Sequence, residues 1–493
     1  MNYFLGVDIG TTSVKAIAFN LMGELICKHS VGYEMQHPQP NYSEQNINEV
    51  LDAVILSINT VTKKLAPATV SFISFSAMMH SVIAVDKKGE PLTNCLIWAD
   101  NRAAEVAETL ANSDLGKRFY HDTGVPVHAM SPLCKLLWMK ENEPALYSNA
   151  FKFIGIKEFI CHRLCNEYLV DTSIASSTGL LNLNTLEWDT NVLEFLELEA
   201  SSFSRIVSPK HIARFRNDGD HAASLHIPHN TILVIGGSDG TLANLGTGSV
   251  ESNSMAISIG TSGAARIVVN RVETDSRMRT FCYHLKDSLY VVGGASNNGA
   301  VVLEWLKDKL LETTESFPEL FARAEKVEPG SEDLLFLPYI LGERAPVWNS
   351  NARGVFFGLN INHTKSHLVR ACMEGVIYGM YSIAKILLEK RVITEIHATG
   401  GFAHSSLWVQ MLADVCNIKV LVADAVESSA LGAVMIGMEA MDITPFAAKE
   451  KSISYEPDLL KHEIYMRSFD KFERIYKSIK TEFVAQEFIS ILS

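Results

Sequence analysis

Two α/β domains of similar design are predicted by three features of the 493-residue sequence. Strand-like and helix-like patterns alternate along the chain, which argues for layered packing with much of the sheet parallel. The length exceeds one domain at about 100–200 residues per domain. A short segment near the start is echoed half a chain later: Gly6-Val7-Asp8-Ile9-Gly10-Thr11-Thr12-Ser13-Val14-Lys15-Ala16-Ile17 aligns with Ala256-Ile257-Ser258-Ile259-Gly260-Thr261-Ser262-Gly263-Ala264-Ala265-Arg266-Ile267. Each copy reads as a strand, a Gly-Thr/Ser turn and a second strand.

The elements follow in order. Residues 4–9 are apolar and β-rich, residues 14–19 resume after the Gly-Thr-Thr-Ser turn, and Asn20-Leu21-Met22-Gly23 turns the chain into a third strand over 24–31. Ile47, Val50, Leu51, Val54, Ile55, Ile58 and Val61 recur at helical spacing and predict a helix over 46–64. Strands are expected over 70–76 and 81–86, either side of a turn-rich segment. Residues 232–235 form another strand, ending in Gly236-Gly237-Ser238-Asp239-Gly240. Residues 245–254 are polar and rich in Gly and Ser, as a domain boundary should be, which gives domains over 1–247 and 254–493. A strand over 395–398, Gly400-Gly401 and a helix over 406–415 come later. The tail 459–492 reads as a packing helix, with Tyr465, Phe469, Phe472, Ile475 and Tyr476 on one side.

Composition narrows the function classes. Apolar residues are 47% and charged residues 20%, a soluble globular balance. The formal net charge of −13 argues against a long basic groove for nucleic acid. Loop N–H groups and a metal ion can still hold phosphates locally. The N-terminus shows no basic start or cleavage site, so a cytoplasmic protein is expected. The apolar run 368–388 is broken by Arg370 and Glu374, and no membrane span is expected. The eight cysteines include no C-x-x-C pair. Cys161 and Cys165 lie one helical turn apart and are expected as buried reduced thiols rather than metal ligands. The 16 histidines show no zinc-type spacing.

Four segments suit phosphate and hydroxyl chemistry. A strand ending in Asp8-x-Gly10-Thr11-Thr12 offers a close backbone approach, two hydroxyls, turn N–H groups and a carboxylate able to hold Mg²⁺, with Lys15 nearby; a plain hairpin satisfies the same residues. The echo at Gly260-Thr261-Ser262 repeats the turn with Ser258 in place of the aspartate. Two such hairpins, one with a carboxylate, suit a polyphosphate clamped between domains with one metal. Gly400-Gly401 at a strand-to-helix turn allows close approach of a ligand. Asp239, among glycines, is the candidate to accept a proton from an attacking hydroxyl, with an ordinary Asp-Gly turn as its alternative. Met78-Met79-His80-Ser81 and Trp98-Ala99-Asp100-Asn101-Arg102 are the candidate substrate elements, with Trp98 itself expected in the core.

These residues resemble the FGGY family of carbohydrate kinases over nearly the whole chain. Met130-Ser131-Pro132-Leu133-Cys134-Lys135-Leu136-Leu137-Trp138-Met139-Lys140-Glu141-Asn142 is similar to the family's first signature. Gly354-Val355-Phe356-Phe357-Gly358-Leu359 with His367-Leu368-Val369-Arg370-Ala371-Cys372-Met373-Glu374 resembles the second, Cys372 being a departure expected to pack conservatively. The resemblance implies two ribonuclease H-like domains of the actin/hexokinase ATPase type with a cleft between them. It implies ATP and Mg²⁺ as cofactors. Asp8 takes the metal; Thr11, Thr12 and Lys15 the first phosphate loop; Gly260, Thr261 and Ser262 the second; Gly400 and Gly401 adenosine; and Asp239 the catalytic base. Met79, His80, Asp100, Arg102 and Arg344 are the expected substrate contacts, beside Asp239.

Within the family the likeness is greatest to gluconate kinases, through the segments 74–81, 97–102, Gly155-Ile156-Lys157-Glu158 and Gly342-Glu343-Arg344-Ala345-Pro346-Val347-Trp348-Asn349. Xylulose kinases share the Met-His pair and the Trp-x-Asp-x-Arg element, so these motifs point to the family more firmly than to the sugar. The implied reaction is D-gluconate plus ATP to 6-phosphogluconate and ADP, with Arg102 or Arg344 pairing with the substrate carboxylate. A ketose or polyol kinase and a non-catalytic ATP-binding actin-like protein are the alternatives. The expected partners are a small sugar or sugar acid and ATP, without nucleic acid or membrane, with a homodimer as an open alternative to a monomer.

Overall fold

The computed structural model describes residues 2–216, 220–423, 427–445 and 452–483. They form two compact units. The first is Met1–Val250 with Val268–Val292 and Val426–Lys449; the second is Glu251–Ile267 with Gly293–Ala425 and Glu450–Ser493. The first change of unit falls inside the polar stretch expected at a boundary. Leu245 and Gly246, at the start of that stretch, are instead the last turn of the helix Asp239–Gly246. Two later segments also return to the first unit, a non-local arrangement that no local pattern announces.

In the first unit, strands β1 (Asn2–Ile9), β2 (Ser13–Phe19) and β3 (Leu25–Gly32) form an antiparallel meander. β1 also pairs in parallel with Thr69–Ala77, which pairs in parallel with Ile232–Ser238. Helix α1 (Ile47–Leu65) is capped by the Asn46 side chain and buries Val50, Leu51, Val54, Ile58 and Val61, the stripe its periodicity predicts. The strand expected over 81–86 contracts to Ile83–Val85, because the Ser81 hydroxyl accepts the Ile156 N–H at a helix start. Asp239 does not sit in an Asp-Gly turn. Ser238 caps a helix that begins at Asp239, so the strand runs directly into it.

The second unit repeats the plan with Ser254–Ile259 and Gly263–Val269 as hairpin. Ser254–Ile259 is parallel to Glu395–Thr399, and that strand to Lys419–Ala423. The echo is not in register, however. Ile9 pairs with Val14 around residues 10–13, whereas Ile259 pairs with Gly263 around residues 260–262. The second turn is therefore one residue shorter, and Ala264, not Ala265, stands opposite Ser258 as Lys15 stands opposite Asp8.

Helix Lys365–Leu388 is long and apolar enough to cross a membrane by length and composition, yet 78% of its apolar window is buried inside the protein. Its Tyr378 and Tyr381 rings pack on Phe469 of the tail helix Leu459–Ile479. The remainder of the expected tail helix, from 484 on, lies outside the described residues. The two charges interrupting the apolar run satisfy each other: Arg370 Nε donates to Glu374 at 2.7 Å, Glu374 also accepts from the Gly330 N–H and the Ser331 hydroxyl, and Arg370 Nη2 donates to the Tyr465 hydroxyl at 2.6 Å. Cys372, in the same turn, is fully buried.

Glu374→Ala leaves the Arg370 guanidinium buried without its counter-charge, and should destabilise the protein by about 3–5 kcal/mol in denaturant unfolding. Arg323→Ala, which breaks the more exposed pair with Glu315, should cost no more than about 1 kcal/mol. Equal effects of the two variants would show that the internal pair is screened by solvent.

Candidate active site

Asp8 ends up where the β1 register puts it. Its Cα pairs with Lys15 on one side and Ser76 on the other, so the Ser76 hydroxyl donates to Asp8 Oδ1 at 2.8 Å. Burial first, and the nearby Asp239 carboxylate second, push Asp8 up to about 7; the Ser76 bond and the Lys15 charge act against them. Lys15 does not pair with Asp8. Its Nζ lies 2.9 Å from Glu427, which also pairs with Lys28 at 3.4 Å.

The turn after Asp8 is held from behind. Tyr33 donates its hydroxyl to the Gly10 carbonyl at 2.5 Å, and the Gln45 amide donates to the Thr11 carbonyl. The Trp98 indole N–H donates to the Thr11 hydroxyl at 2.9 Å. Trp98 is thus half-buried against the loop rather than a core residue: its N–H needs a partner, and the loop supplies one. Thr12 is exposed.

Asp239 is the first residue of its helix, and its Oδ1 accepts the Gly240 N–H at 2.6 Å. Its influence on Asp8 shows two carboxylates in one neighbourhood. Among the described residues no group of three or more His, Cys, Asp or Glu side chains gathers as a metal site. Mg²⁺ needs only one or two carboxylates besides phosphates and water, and a half-buried carboxylate with a second carboxylate nearby, offering oxygen alone, fits such a hard cation.

The substrate elements are organised by a residue whose role the sequence hid. Lys135 is completely buried, and its Nζ donates to the carbonyls of His80 (2.6 Å) and Ile97 (2.7 Å), which ties Met79-His80 to Trp98. Burial pulls it down to about 7 against the favourable charge of Asp100. Met79 is half-buried; His80 is buried with a positive φ of 66°. Its Nδ1 lies 2.8 Å from the Ser177 carbonyl, so that nitrogen carries the proton. Asp100 is fully buried and accepts from the Ser43 N–H and from Arg102 through the backbone N–H, Nε and Nη2. Arg102 also pairs with Glu44 and stacks on Tyr42 at 3.7 Å. These two expected substrate contacts therefore brace each other and the Glu44 segment.

In the second unit, Gly260 donates to the Ser262 carbonyl at 2.9 Å, while Thr261 is exposed. Ser258 accepts from Arg266 Nη1 at 3.4 Å. Gly400 follows the neighbouring parallel strand with a φ of 98°, and a side chain there would overlap the Ile259 carbonyl, so only glycine fits. Gly401 lies at the rim of a cavity of about 500 Å³ lined by Leu303, Glu304, Phe317, Phe321 and His404, a size suited to a small ligand. Arg344 is buried, with Nη2 donating to the Ser296 carbonyl at 3.2 Å. Asp8, Thr11, Lys15 and Asp239 thus belong to the first unit, together with Met79, His80, Asp100 and Arg102. The second loop, the glycine pair and Arg344 belong to the second unit.

The elevated Asp8 has a stability consequence. With a folded value near 7 against 3.8 for an ordinary Asp, the folded protein holds an extra proton between those values. The resulting stabilisation is complete below about pH 4 and is lost as pH rises through 7. In EDTA, the Tm of the wild type should fall between pH 5 and 8. Asp8→Asn should remove that component and melt higher than wild type at pH 8. Parallel pH profiles for the two proteins would contradict the assignment.

The chain resembles known proteins along most of its length. Residues 3–246 match the N-terminal domain of the FGGY family of carbohydrate kinases and residues 255–441 its C-terminal domain. A gluconokinase of Bacillus subtilis (strain 168) is 42% identical over 450 residues, 89% of this chain and 88% of that protein. A xylulose kinase of Staphylococcus xylosus is 29% identical over 97% of this chain and all (100%) of its own. Among solved structures, a gluconate kinase from Lactobacillus acidophilus has a TM-score of 0.92 at 32% identity, covering 98% of this chain and 99% of its own. A ligand-bound xylulose kinase from the same organism has a TM-score of 0.93, also at 32% identity and with the same coverage. The chain belongs to the FGGY family of carbohydrate kinases, with the two-domain actin/hexokinase-like ATPase fold, and is a sugar phosphotransferase.

Proposed function

We propose that the protein phosphorylates D-gluconate with MgATP to give 6-phospho-D-gluconate and ADP. The observation that supports it most is Asp239 at a helix start beside Asp8, separating the tasks of base and metal ligand. The 42% identity to a gluconokinase favours the sugar acid over a ketose. In this reading Asp239 accepts the proton of the attacking hydroxyl as the bond to the γ-phosphorus forms and the bond to the β-γ bridging oxygen breaks. Phosphoryl transfer requires mainly positioning and charge stabilisation, so a carboxylate oriented on the attacking hydroxyl is sufficient. Asp8 would hold Mg²⁺, which when bound neutralises phosphate charge.

Thr11, Thr12 and Lys15, with Gly260, Thr261 and Ser262, are the phosphate contacts in this reading. Gly400 and Gly401 receive adenosine, with the base in the neighbouring cavity. Met79 and His80 meet the substrate, while Asp100 and Arg102 hold the pocket wall in shape. Arg102 already faces two carboxylates, Asp100 and Glu44; in this reading Arg344 pairs with the substrate carboxylate.

Asp239→Asn should lower kcat by about 10²–10⁴-fold, with ATP affinity nearly unchanged in a binding titration. Near-normal turnover would remove the base assignment. A coupled assay over gluconate, xylulose, ribulose, glycerol and fuculose should rank gluconate first by kcat/KM; xylulose first would select the ketose reading. Arg344→Ala should raise KM for gluconate about tenfold or more while leaving an uncharged polyol less affected. Equal losses on both would end the carboxylate role.

A further inference from the structure

The strand that delivers Asp239 is irregular just before it arrives. Its parallel register with Thr69–Ala77 breaks between Val234 and Gly237. Gly236 has a φ of 69°, and a side chain there would overlap the Phe75 carbonyl. A bulge of this kind turns backbone carbonyls away from the sheet ladder and needs other donors. The Lys157 ammonium provides them. Its Nζ lies 3.3 Å from the Ile235 carbonyl and 3.2 Å from the Gly237 carbonyl, one on either side of Gly236, and its third partner is the Asp171 carboxylate. Lys157 is 1% exposed and Asp171 is fully buried. Two carbonyls therefore accept hydrogen bonds from the ammonium, and the Asp171 carboxylate supplies a buried counter-charge.

A second grip acts one residue later. The Ser173 hydroxyl accepts the Ser238 N–H at 3.1 Å and lies 2.8 Å from the Thr241 hydroxyl, inside the first turn of the Asp239 helix. Asp171 caps the short helix that carries Ser173, accepting the Ile174 N–H at 3.0 Å. The segment 157–173 thus holds the backbone on both sides of the bulge and at the helix start.

We propose that Lys157 is a positioning residue for catalysis: by clamping the carbonyls of Ile235 and Gly237 it fixes the bulge that aims Asp239. This rests on the reading of Asp239 as the base. The ammonium never meets substrate and acts only through the backbone conformation of 235–239. A displacement of about 1 Å in such a group can cost about 100-fold in rate.

The test separates catalysis from stability. Lys157→Met alone leaves Asp171 buried without its counter-charge, so both Tm and kcat should fall. The double variant K157M/D171N removes both charges, and Asn retains the capping oxygen. Its Tm should recover most of the loss, while kcat stays about 100-fold below wild type and KM for ATP and gluconate changes less than about threefold. Recovery of kcat together with Tm would overturn the proposal, leaving the pair a purely structural one. A double variant that failed to recover Tm would also count against it, because the cost would then lie in lost packing rather than in the charge pair. Asp239→Asn run in parallel keeps the two readings apart: near-normal turnover there removes the base assignment itself, whereas a strong loss there with full turnover in K157M/D171N removes only the clamp.

Discussion

The first unit depends on a close backbone contact made by a segment from the far end of the chain. Helix Ser428–Ala440 lies against β1 and against the helix Asp239–Gly246, and it does so at glycines: a side chain at Gly432 would overlap the Leu242 carbonyl, and one at Gly246 the Ser428 carbonyl. Contact at this range leaves little freedom in the angle of approach. It brings three element ends into one neighbourhood: the C-terminal end of β1 with Asp8, the N-terminal end of one helix with Asp239, and the N-terminal end of the other with Glu427. All three carry carboxylates, and the charge of Asp239 and Glu427 is felt at Asp8. Glu427 has direct cationic partners in Lys15 and Lys28. Burial works to raise it, but those partners outweigh burial and hold it below the usual range.

That contact also explains which parts of the fold were legible in the sequence. The meander β1–β3, α1 and the tail helix are local, set by periodicity and turn residues within a few positions of one another. Helix Ser428–Ala440 follows the strand Lys419–Ala423 in the chain, but nothing local says that it leaves those neighbours to pack against a sheet begun at residue 2. The echo is a middle case. Its residues announce a hairpin, but a one-residue difference in turn length changes which side chain faces Ser258, and only the pairing register decides that. At Asp239 the signal was present and outweighed: Ser238 is a favoured N-cap residue, masked by the neighbouring glycines, which read as a turn.

The buried lysines form a second class of hidden information. Lys135 and Lys157 sit among apolar residues in helical patterns, where a lysine ordinarily points its head to solvent. Each instead directs its ammonium inward to two backbone carbonyls: His80 and Ile97 for one, Ile235 and Gly237 for the other. Carbonyls turned out of a sheet have no sequence signature, so their partner cannot be read from one either. The carbonyls that help offset the cost of burying each cation are free because the stretch is irregular, and for Lys157 the Asp171 carboxylate adds a counter-charge.

This arrangement bears on how an acidic protein handles a polyanionic co-substrate. In the first unit the cations closest to the candidate residues already have carboxylate or carbonyl partners. Lys15 is paired with Glu427, Arg102 with Asp100 and Glu44, Lys157 with Asp171, and Lys135 is enclosed. Of these, Lys15 is the most exposed, at 37% of its side chain, and so the one best able to exchange its partner for a phosphate. Within the proposed reaction, phosphate charge must then be met chiefly by loop N–H groups, hydroxyls and a metal at Asp8. Such groups act at short range and in fixed directions, whereas a cluster of free lysines would attract any anion. A net charge of −13 is then compatible with nucleotide use, because the attraction is built into the geometry of two turns and one carboxylate rather than into the field of the whole protein.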